Sequence, residues 1–539
     1  MPLINKKTQM NKRKIFNILL SCAVIILSPF LAVAQKANWQ NLDLKTDSVF
    51  GISTEKAYKE LLKGKKSTKV IVAVNDGGVD DKHEDLKRVM WVNTKEIAGN
   101  GKDDDKNGYV DDIHGWNFIG GPKGSVDHET LELTRLVRRD MARFATTTDA
   151  NVAEKDKKDY EAFKVMRSDL EKQLGEANAN LAGLTGFKNA MDAVVKKIGK
   201  ANPTAEDFAK FKPGSNADAR IQEVLSEELK KGSFTDFYAD QITEGLKYYS
   251  EKANYNLNLD YNPRDVVGDD PNNDNEKYYG NNDVKGPDAM HGSHVAGIIG
   301  ADRTNKLGIK GVADNVLIMG VRCTPNGDER DKDVANSIRY AVDNGAKVIN
   351  MSFGKAYSWN KAVVNEAMKY AASKDVLIVQ AAGNENKDID TENNFPNHKD
   401  LDEKTIASWI TVGASGPNDN ETLKASFSNF GKTQVDVFAP GVKIYSTVPD
   451  SKYKDLDGTS MASPVVAGLA GLIRSYYPKL TAAQVKEIIV KSVIKVNHNV
   501  DYSKGEGPDA PKVSVPFADL SISGGVVNAY NALKLAATY

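Results

Sequence analysis

The sequence predicts an α/β fold, a three-layer sandwich with a mostly parallel central sheet, together with an all-helical insertion. Short β-branched runs recur along the chain with amphipathic helical patterns between them, which is typical of a parallel sheet covered by helices on both faces. A long stretch with helical spacing and no strand pattern predicts the insertion. With 539 residues, the chain is long enough for one large domain that carries such an insertion.

The predicted strands are continuous apolar runs, which suit strands buried on both faces. They lie at 70–74, 316–321, 347–351, 376–381, 410–414 and 435–439, and the clearest helices between them lie at 333–344 and 361–373. In open parallel sheets, binding sites form at the carboxyl ends of the strands. Asp76, Ser352 and Asn384 stand at three such ends, so we expect a functional site there.

The insertion is predicted to run from about residue 120 to residue 262. Apolar residues between 163 and 184 recur every three or four positions and indicate one helix, and a second helix is predicted from 187 to 198. Pro203-Thr204 followed by Asp207 has the form of a helix start. Another helix is predicted around 221–229. A stabilising appendage and a lid over the main domain both fit this pattern.

The beginning of the chain has the form of an export signal. Basic residues between 6 and 14 precede an apolar run, 15–33, that ends in Ala32-Val33-Ala34. This order predicts a secretory signal peptide, 1–34, with cleavage before Gln35, and a periplasmic or extracellular protein. A lipoprotein signal ending at Cys22 would cut inside the apolar run, so we rank it second. A short N-terminal segment, 35–66, then precedes the main domain, 67–539.

Composition limits the partners. The chain has a net charge of −1, and loss of the basic leader makes it more acidic, so nucleic-acid binding is not expected. No later segment approaches the roughly 20 apolar residues of a membrane helix, and we expect no transmembrane span in the mature chain. Cys323 is the cysteine left after the leader is removed, so a mature monomer has no internal disulfide. The sequence leaves the oligomeric state open.

A serine stands at a predicted helix start in the motif DGTSMASP at 457–464, with Pro464 expected in the first turn. Such a serine is often only an N-cap. Asp76 at a strand end and His291 at a helix start change that balance, because a serine becomes nucleophilic when an oriented histidine takes its proton. The chain order Asp76, His291, Ser460 is one of three that are known for this geometry.

Four motifs in this order resemble those of the subtilisin-like serine proteases, the subtilases: VAVNDGG at 72–78, HGSHVAG at 291–297, AAGN at 381–384 and GTSMASP at 458–464. The resemblance implies that Asp76 orients His291, that His291 is the general base, and that Ser460 attacks the scissile carbonyl. It also implies that Asn384 and the Ser460 N–H hold the oxyanion. Polypeptides are the implied substrates, between two pocket walls formed by Ser352-Phe353-Gly354 and Ala381-Ala382-Gly383.

Two positions depart from the pattern of the family. Gly77 follows Asp76 where serine or threonine is usual, which removes a hydroxyl that the carboxylate would use. Ser293 stands where threonine is usual. A catalytically weak or inactive subtilase fold that binds peptides or assists assembly is therefore the alternative hypothesis. Residues 35–66 are also too few for the folding propeptide that exported members usually carry.

An acidic loop predicts a structural Ca²⁺ site. Asp103, Asp105, Asn107 and Asp111, with Gly108 sixth, copy positions of an EF-hand-type loop, whose seventh position, Tyr109, offers its main-chain oxygen. The twelfth position is His114 instead of glutamate, so we expect a calcium loop of another design, with Asp112 as a further ligand. A solvated acidic turn is the alternative.

Overall fold

The structure, a computed structural model, describes residues 36–504 and 510–539. They form two compact units: a helical unit of residues 133–261, and a sheet domain of residues 36–132, 262–504 and 511–539. The predicted signal peptide and Cys22 lie outside the described residues. Within the described part of the chain, no helix is both long and apolar enough to cross a bilayer.

The strands are β1 Val70–Asp76, β2 Gly115–Asn117, β3 Gly120–Gly121, β4 Gly124–Ser125, β5 Val316–Arg322, β6 Val348–Met351, β7 Leu377–Ala381, β8 Trp409–Ser415, β9 Val437–Pro440, β10 Ile444–Val448, β11 Lys452–Leu456, β12 Ile494–Lys495, β13 Asn499–Ser503, β14 Lys512–Pro516 and β15 Gly525–Val526. Nine of them form the central sheet in the order β12-β15-β9-β8-β7-β6-β1-β5-β2. Every neighbouring pair is parallel except β12 and β15. All six predicted strands are present, so the predicted α/β class is confirmed.

The helices are α1 Leu44–Asp47, α2 Thr54–Ala57, α3 Glu132–Arg143, α4 Lys157–Ile198, α5 Ala205–Lys210, α6 Asn216–Glu228, α7 Phe234–Phe237, α8 Glu244–Glu251, α9 Met290–Gly300, α10 Asp331–Asp343, α11 Lys361–Ser373, α12 Thr459–Tyr476, α13 Ala482–Lys491 and α14 Ala529–Ala536. In the sheet domain, α9, α12, α13 and α14 share one buried cluster, and α10 and α11 share another. Val72 and Val74 of β1 join the first cluster and Ala73 joins the second. Alternate side chains of a strand point to opposite faces, so the sheet is the middle layer of a sandwich.

The predicted N-terminal segment belongs to the packed sheet domain. Trp39 and Ile52 are buried in the first cluster. The Trp39 indole Nε1 donates to the main-chain oxygen of Val442, at 3.2 Å. Residues 36–66 therefore contribute to the core that supports the sheet.

The helical unit corrects one prediction. The two helices predicted for 163–184 and 187–198 are a single helix, α4. Its buried residues Phe163, Leu170, Ala177, Leu184 and Met191 are seven positions apart, so one apolar stripe continues through the predicted break. The glycines in that region cost about 1 kcal/mol each relative to alanine, and packing of the stripe outweighs that cost.

The observed ends of the helical unit also differ from the predicted range. Residues 120–132 group with the sheet domain, and the antiparallel pair β3 and β4 lies there. Each of these strands has only two residues, which is too short to give a periodic pattern. The predicted helix start at Thr204 is present, because Thr204 and Asp207 form a reciprocal capping box.

Candidate active site

Asp76 and His291 meet at the carboxyl edge of the sheet. Asp76 is the last residue of β1, and His291 is the second residue of α9. The Asp76 Oδ1 atom lies 2.7 Å from His291 Nδ1 and also accepts the Gly77 N–H at 2.7 Å. A proton on Nδ1 that is donated to the carboxylate leaves Nε2 as the basic nitrogen. The pair is therefore arranged as an oriented general base.

The surroundings of His291 set its proton affinity. Burial alone would lower the pKa of His291, but the charge of Asp76 and its hydrogen bond outweigh burial and raise the pKa above its ordinary value. The ring remains 42% exposed, whereas the Asp76 side chain is 3% exposed. The imidazole is thus reachable from solvent while its partner carboxylate is enclosed.

The second oxygen of the Asp76 carboxylate, Oδ2, is the atom affected by the glycine at position 77. Asp76 Oδ2 is buried and has no hydrogen-bond partner among the described residues. Gly77 offers this carboxylate a backbone N–H, which binds Oδ1, but no hydroxyl. A Cβ atom at Gly77 would lie 3.2 Å from the Thr324 main-chain oxygen, so a small side chain fits only tightly. The carboxylate is consequently held by fewer donors than its burial would favour.

Ser460 is hydrogen-bonded to Ser352, which follows β6. Ser460 Oγ donates to the Ser352 main-chain oxygen at 3.1 Å, and Ser352 Oγ donates to the Ser460 main-chain oxygen at 2.9 Å. No hydrogen bond joins Ser460 to His291 in the described part of the chain. The structure therefore pairs Asp76 with His291 and pairs Ser460 with Ser352.

The start of α12 explains the second of these bonds. The helix begins at Thr459, so Pro464 lies in the second turn and not in the first turn as predicted. Proline has no N–H for the carbonyl four residues earlier, which is that of Ser460. The Ser352 hydroxyl takes the place of the missing helical donor. This exchange lets a proline follow the serine without leaving a buried carbonyl unpaired.

Asn384 lies near Ser460 with one end of its amide fixed. Its Oδ1 atom accepts the N–H and the hydroxyl of Thr459, both at 2.9 Å. Its Nδ2 atom has no partner among the described residues. A Cβ atom at Gly458 would lie 3.5 Å from the Ser460 nitrogen and 3.7 Å from Asn384 Nδ2. Two donors therefore border the same small space, which the glycine leaves open.

The two predicted pocket walls differ in exposure. Ser352, Ala381 and Ala382 are buried, Phe353 and Gly383 are partly exposed, and Gly354 is exposed. Asn394, which we did not single out from the sequence, lies between them. Its Oδ1 atom is 3.0 Å from the position of a Cβ at Gly354, and its Nδ2 atom donates to the Ala382 oxygen at 3.3 Å. Asn394 therefore connects the walls with a polar side chain.

The acidic loop brings two of its predicted metal ligands together. Glu96, Asp103 and Asp105 each offer one carboxylate oxygen, and these three oxygens lie within 4.8 Å of one another. These three residues are the Glu96 group. Glu96 was not predicted, because it precedes the loop and lies outside the alternating pattern of acidic residues in it. Carboxylate oxygens are the donors that Ca²⁺ prefers. This donor set fits a divalent cation.

The side chains of the other predicted ligands make contacts both within the loop and with residues outside it. Asp111 accepts the N–H groups of three residues at 99–101. Asp112 accepts from Asn93, Asn107 and Tyr340, and burial raises the pKa of Asp112 to about 6. The Asn107 oxygen accepts the Tyr109 N–H, and the Tyr109 ring packs against Trp116 and Tyr340. Their side chains shape the loop around the Glu96 group.

Comparisons with known proteins agree with these observations. The sequence profile of the Subtilase family matches residues 67–507. Thermophilic serine proteinase of Bacillus sp. (strain AK1) is 37% identical over 53% of this chain and 67% of its own length. Thermitase of Thermoactinomyces vulgaris is 43% identical over 34% of this chain and 61% of its own. Subtilisin DY of Bacillus licheniformis is 37% identical over 40% of this chain and 74% of its own.

Proposed function

Because this chain belongs to the subtilase family, we propose that it is a serine endopeptidase in which Asp76, His291 and Ser460 hydrolyse peptide bonds. The observation that carries the proposal is the 2.7 Å contact between the enclosed Asp76 carboxylate and the reachable His291 ring. An imidazole held in this way is a general base whose second nitrogen faces a substrate.

In the proposed reaction, the Ser460 hydroxyl turns from the Ser352 oxygen to His291 Nε2. His291 takes the hydroxyl proton while Oγ attacks the scissile carbonyl carbon, and the imidazolium then gives that proton to the leaving amine. Asp76 stabilises the imidazolium and stays ionised. The Asn384 Nδ2 and the Ser460 N–H donate to the oxyanion. Water hydrolyses the acyl-enzyme by the same steps.

Polypeptides in extended form are the proposed substrates. Gly354 is exposed, and an exposed backbone edge binds a peptide through main-chain hydrogen bonds. The residue before the cut would lie between 352–354 and 381–383. Since the polar Asn394 amide connects these segments, small or polar side chains are expected to fit better there than large aromatic ones.

A second candidate is a subtilase fold of low activity that binds peptides without cutting them. Two observations favour it: Asp76 Oδ2 has no partner among the residues that the structure describes, and the Ser460 hydroxyl is bonded to Ser352. Incubating the purified chain and its Ser460→Ala variant with a peptide library, and reading the products by mass spectrometry, separates the two. New peptide ends in the wild type alone support the endopeptidase, whereas equal, uncut libraries support the second candidate.

We also propose that the acidic loop binds a structural Ca²⁺ ion through Glu96, Asp103 and Asp105. An ion that binds only the folded chain adds stability by mass action. Between them these side chains would supply the negative charge that the ion neutralises. Asp111 and Asp112 would support the loop through the hydrogen bonds described above.

Export is proposed on the basis of the leader alone. Cleavage before Gln35 predicts a mature chain that begins at that residue. N-terminal sequencing of the protein recovered from a secreting host checks this, and an intact Met1 or an acylated Cys22 would contradict it.

A further inference from the structure

The segment 382–387 carries Asn384 but belongs to no helix or strand. Gly383 and Asn386 adopt positive φ angles of 102° and 55°. Buried backbone groups outside regular structure need partners from elsewhere in the protein. The shape of this segment therefore depends on the residues that bind it.

One residue, Asn429, makes several of these bonds. It is 3% exposed. Its Oδ1 atom accepts the N–H groups of Glu385 at 3.1 Å and Lys387 at 2.8 Å. Its Nδ2 atom donates to the Ala382 oxygen at 2.9 Å and to the Glu385 carboxylate at 2.7 Å. Its own N–H donates to the Gly383 oxygen at 2.9 Å.

Asn429 binds the residues on both sides of Asn384, the proposed oxyanion donor, in the sequence. Gly383 precedes Asn384 and Glu385 follows it, and Asn429 binds both. A Cβ atom at Gly383 would lie 2.3 Å from Asn429 Nδ2, so the segment is packed directly against this amide. Thr459 fixes the Asn384 oxygen, while Asn429 fixes the backbone from which the side chain extends.

We propose that Asn429 is a positioning residue that holds the Asn384 amide at the oxyanion. The inference rests on the proposed endopeptidase function and deepens it. Because Asn429 is buried, it would act through Asn384 and not by touching the substrate. Removing its side chain leaves the Glu385 and Lys387 N–H groups and the Glu385 carboxylate without this partner, and leaves the Ala382 oxygen with the Asn394 amide alone. The segment then relaxes, and the donor moves away from the reacting carbonyl.

The test measures kcat and KM of the full chain for one peptide that the wild type cuts. Asn429→Ala is expected to lower kcat about tenfold to a hundredfold with KM changed less than about threefold, below the 10²–10³ cost of losing an oxyanion donor outright. Asn429→Ser keeps one hydroxyl for the segment, and its kcat should lie between the two. If the alanine variant does not fold, the serine variant carries the measurement.

The control is Asn41→Ala, in which another buried asparagine loses its side-chain donation to a main-chain oxygen, that of Lys310. Its Tm should fall while kcat stays unchanged. The decisive comparison is the double variant Asn384→Ala/Asn429→Ala, whose kcat should equal that of Asn384→Ala, because the two residues act through one donor.

Two results would overturn the inference: a fall in Tm with unchanged kcat in the Asn429 variants, or losses that multiply in the double variant. A folded wild type without any peptidase activity would instead overturn the proposed function, and this inference with it. Failure of the inference about Asn429 and failure of the proposed function are therefore distinguishable, since the wild type is active only in the first case.

Discussion

Ser352 and Ser460 exchange hydrogen bonds, with each hydroxyl donating to the main-chain oxygen of the other residue, at 2.9 and 3.1 Å. This relationship joins the end of β6 to the first turn of α12. It holds the proposed nucleophile at a defined place and replaces the helical bond that Pro464 cannot make.

Ser352→Ala removes the donor to the Ser460 oxygen and leaves that partly buried carbonyl without its partner. An unpaired buried group costs about 1–3 kcal/mol, so Tm should fall by several degrees and kcat should fall with it. The double variant Ser352→Ala/Pro464→Ala restores an N–H at position 464 and should recover most of the lost Tm. Calorimetry checks this. An equal Tm for the single and double variants would contradict the conclusion that the Ser352 hydroxyl replaces the N–H that Pro464 lacks.

Asp76→Asn should move the acidic limb of the activity profile to lower pH. Asp76 raises the pKa of His291 in the wild type, and His291 must be neutral to act as a base, so activity falls as pH drops below that pKa. Without the carboxylate the pKa falls, although kcat also drops by about 10⁴, the size measured for this change in serine proteases. The measurement is kcat/KM against pH, and an acidic limb that stays in place would count against the assignment.

Gly77→Ser should be more active than Gly77→Ala. Both variants place a Cβ atom 3.2 Å from the Thr324 oxygen. Only serine adds a hydroxyl for Asp76 Oδ2, which is buried and has no partner within the described part of the chain. A hydrogen bond to a charged group is worth about 1.5–3 kcal/mol, so kcat should differ by about tenfold or more. Equal values for the two variants would show that Asp76 does not use the hydroxyl.

Lys424→Met should change how stability depends on pH. Lys424 is 2% exposed and donates to the Asn386 side chain, and burial lowers the pKa of Lys424 to about 7. Unfolded lysine binds a proton up to about pH 10.4, so between pH 7 and 10 the unfolded state binds more protons and stability rises with pH.

The methionine variant has no amine that takes up a proton on unfolding, so it lacks this pH dependence. The free energy of unfolding of the wild type, relative to Lys424→Met, should therefore rise from pH 7 to pH 10. Lys432→Met is the matched control, because Lys432 is exposed and donates to the Ala518 oxygen, and its difference from the wild type should be flat. A flat difference for Lys424→Met as well would contradict the lowered pKa.

Chelation of Ca²⁺ should lower Tm in the wild type. An ion present at 100 times its Kd adds about 2.7 kcal/mol. Asp103→Asn should lose most of this calcium-dependent shift, since Asp103 belongs to the Glu96 group. Asp104→Asn is the control, because Asp104 lies in the same loop but binds the Ile97 N–H and Asn100. An equal calcium-dependent shift of Tm in both variants would contradict the proposed site.

The sequence predicted six of the nine strands of the central sheet, because these six are buried and form continuous apolar runs. The other three, β2, β12 and β15, have only two or three residues each and give no pattern. It predicted Asp76, Ser352 and Asn384 at the carboxyl edge of the sheet because parallel strands end at one edge, and the three residues do stand at the ends of β1, β6 and β7. It missed the continuity of α4: two periodic runs, 163–184 and 187–198, predict two helices, whereas one buried apolar stripe continues through both. Glu96, Asn394 and the role of Asn429 were missed for another reason: each acts through contacts with residues that are distant in sequence or outside a repeating pattern, and local spacing carries no signal for such contacts.

Labelling with a fluorophosphonate tests the central claim most directly, because the reagent forms a covalent bond only with an activated serine. We expect the folded wild type to gain one adduct, located on Ser460 by peptide mass spectrometry. Ser460→Ala should gain none, and His291→Ala should react at least about a hundredfold more slowly, in line with the 10²–10⁴ contribution of general-base catalysis. A folded wild type that stays unlabelled, or one that reacts no faster than His291→Ala, would contradict a hydrolase built on Asp76, His291 and Ser460.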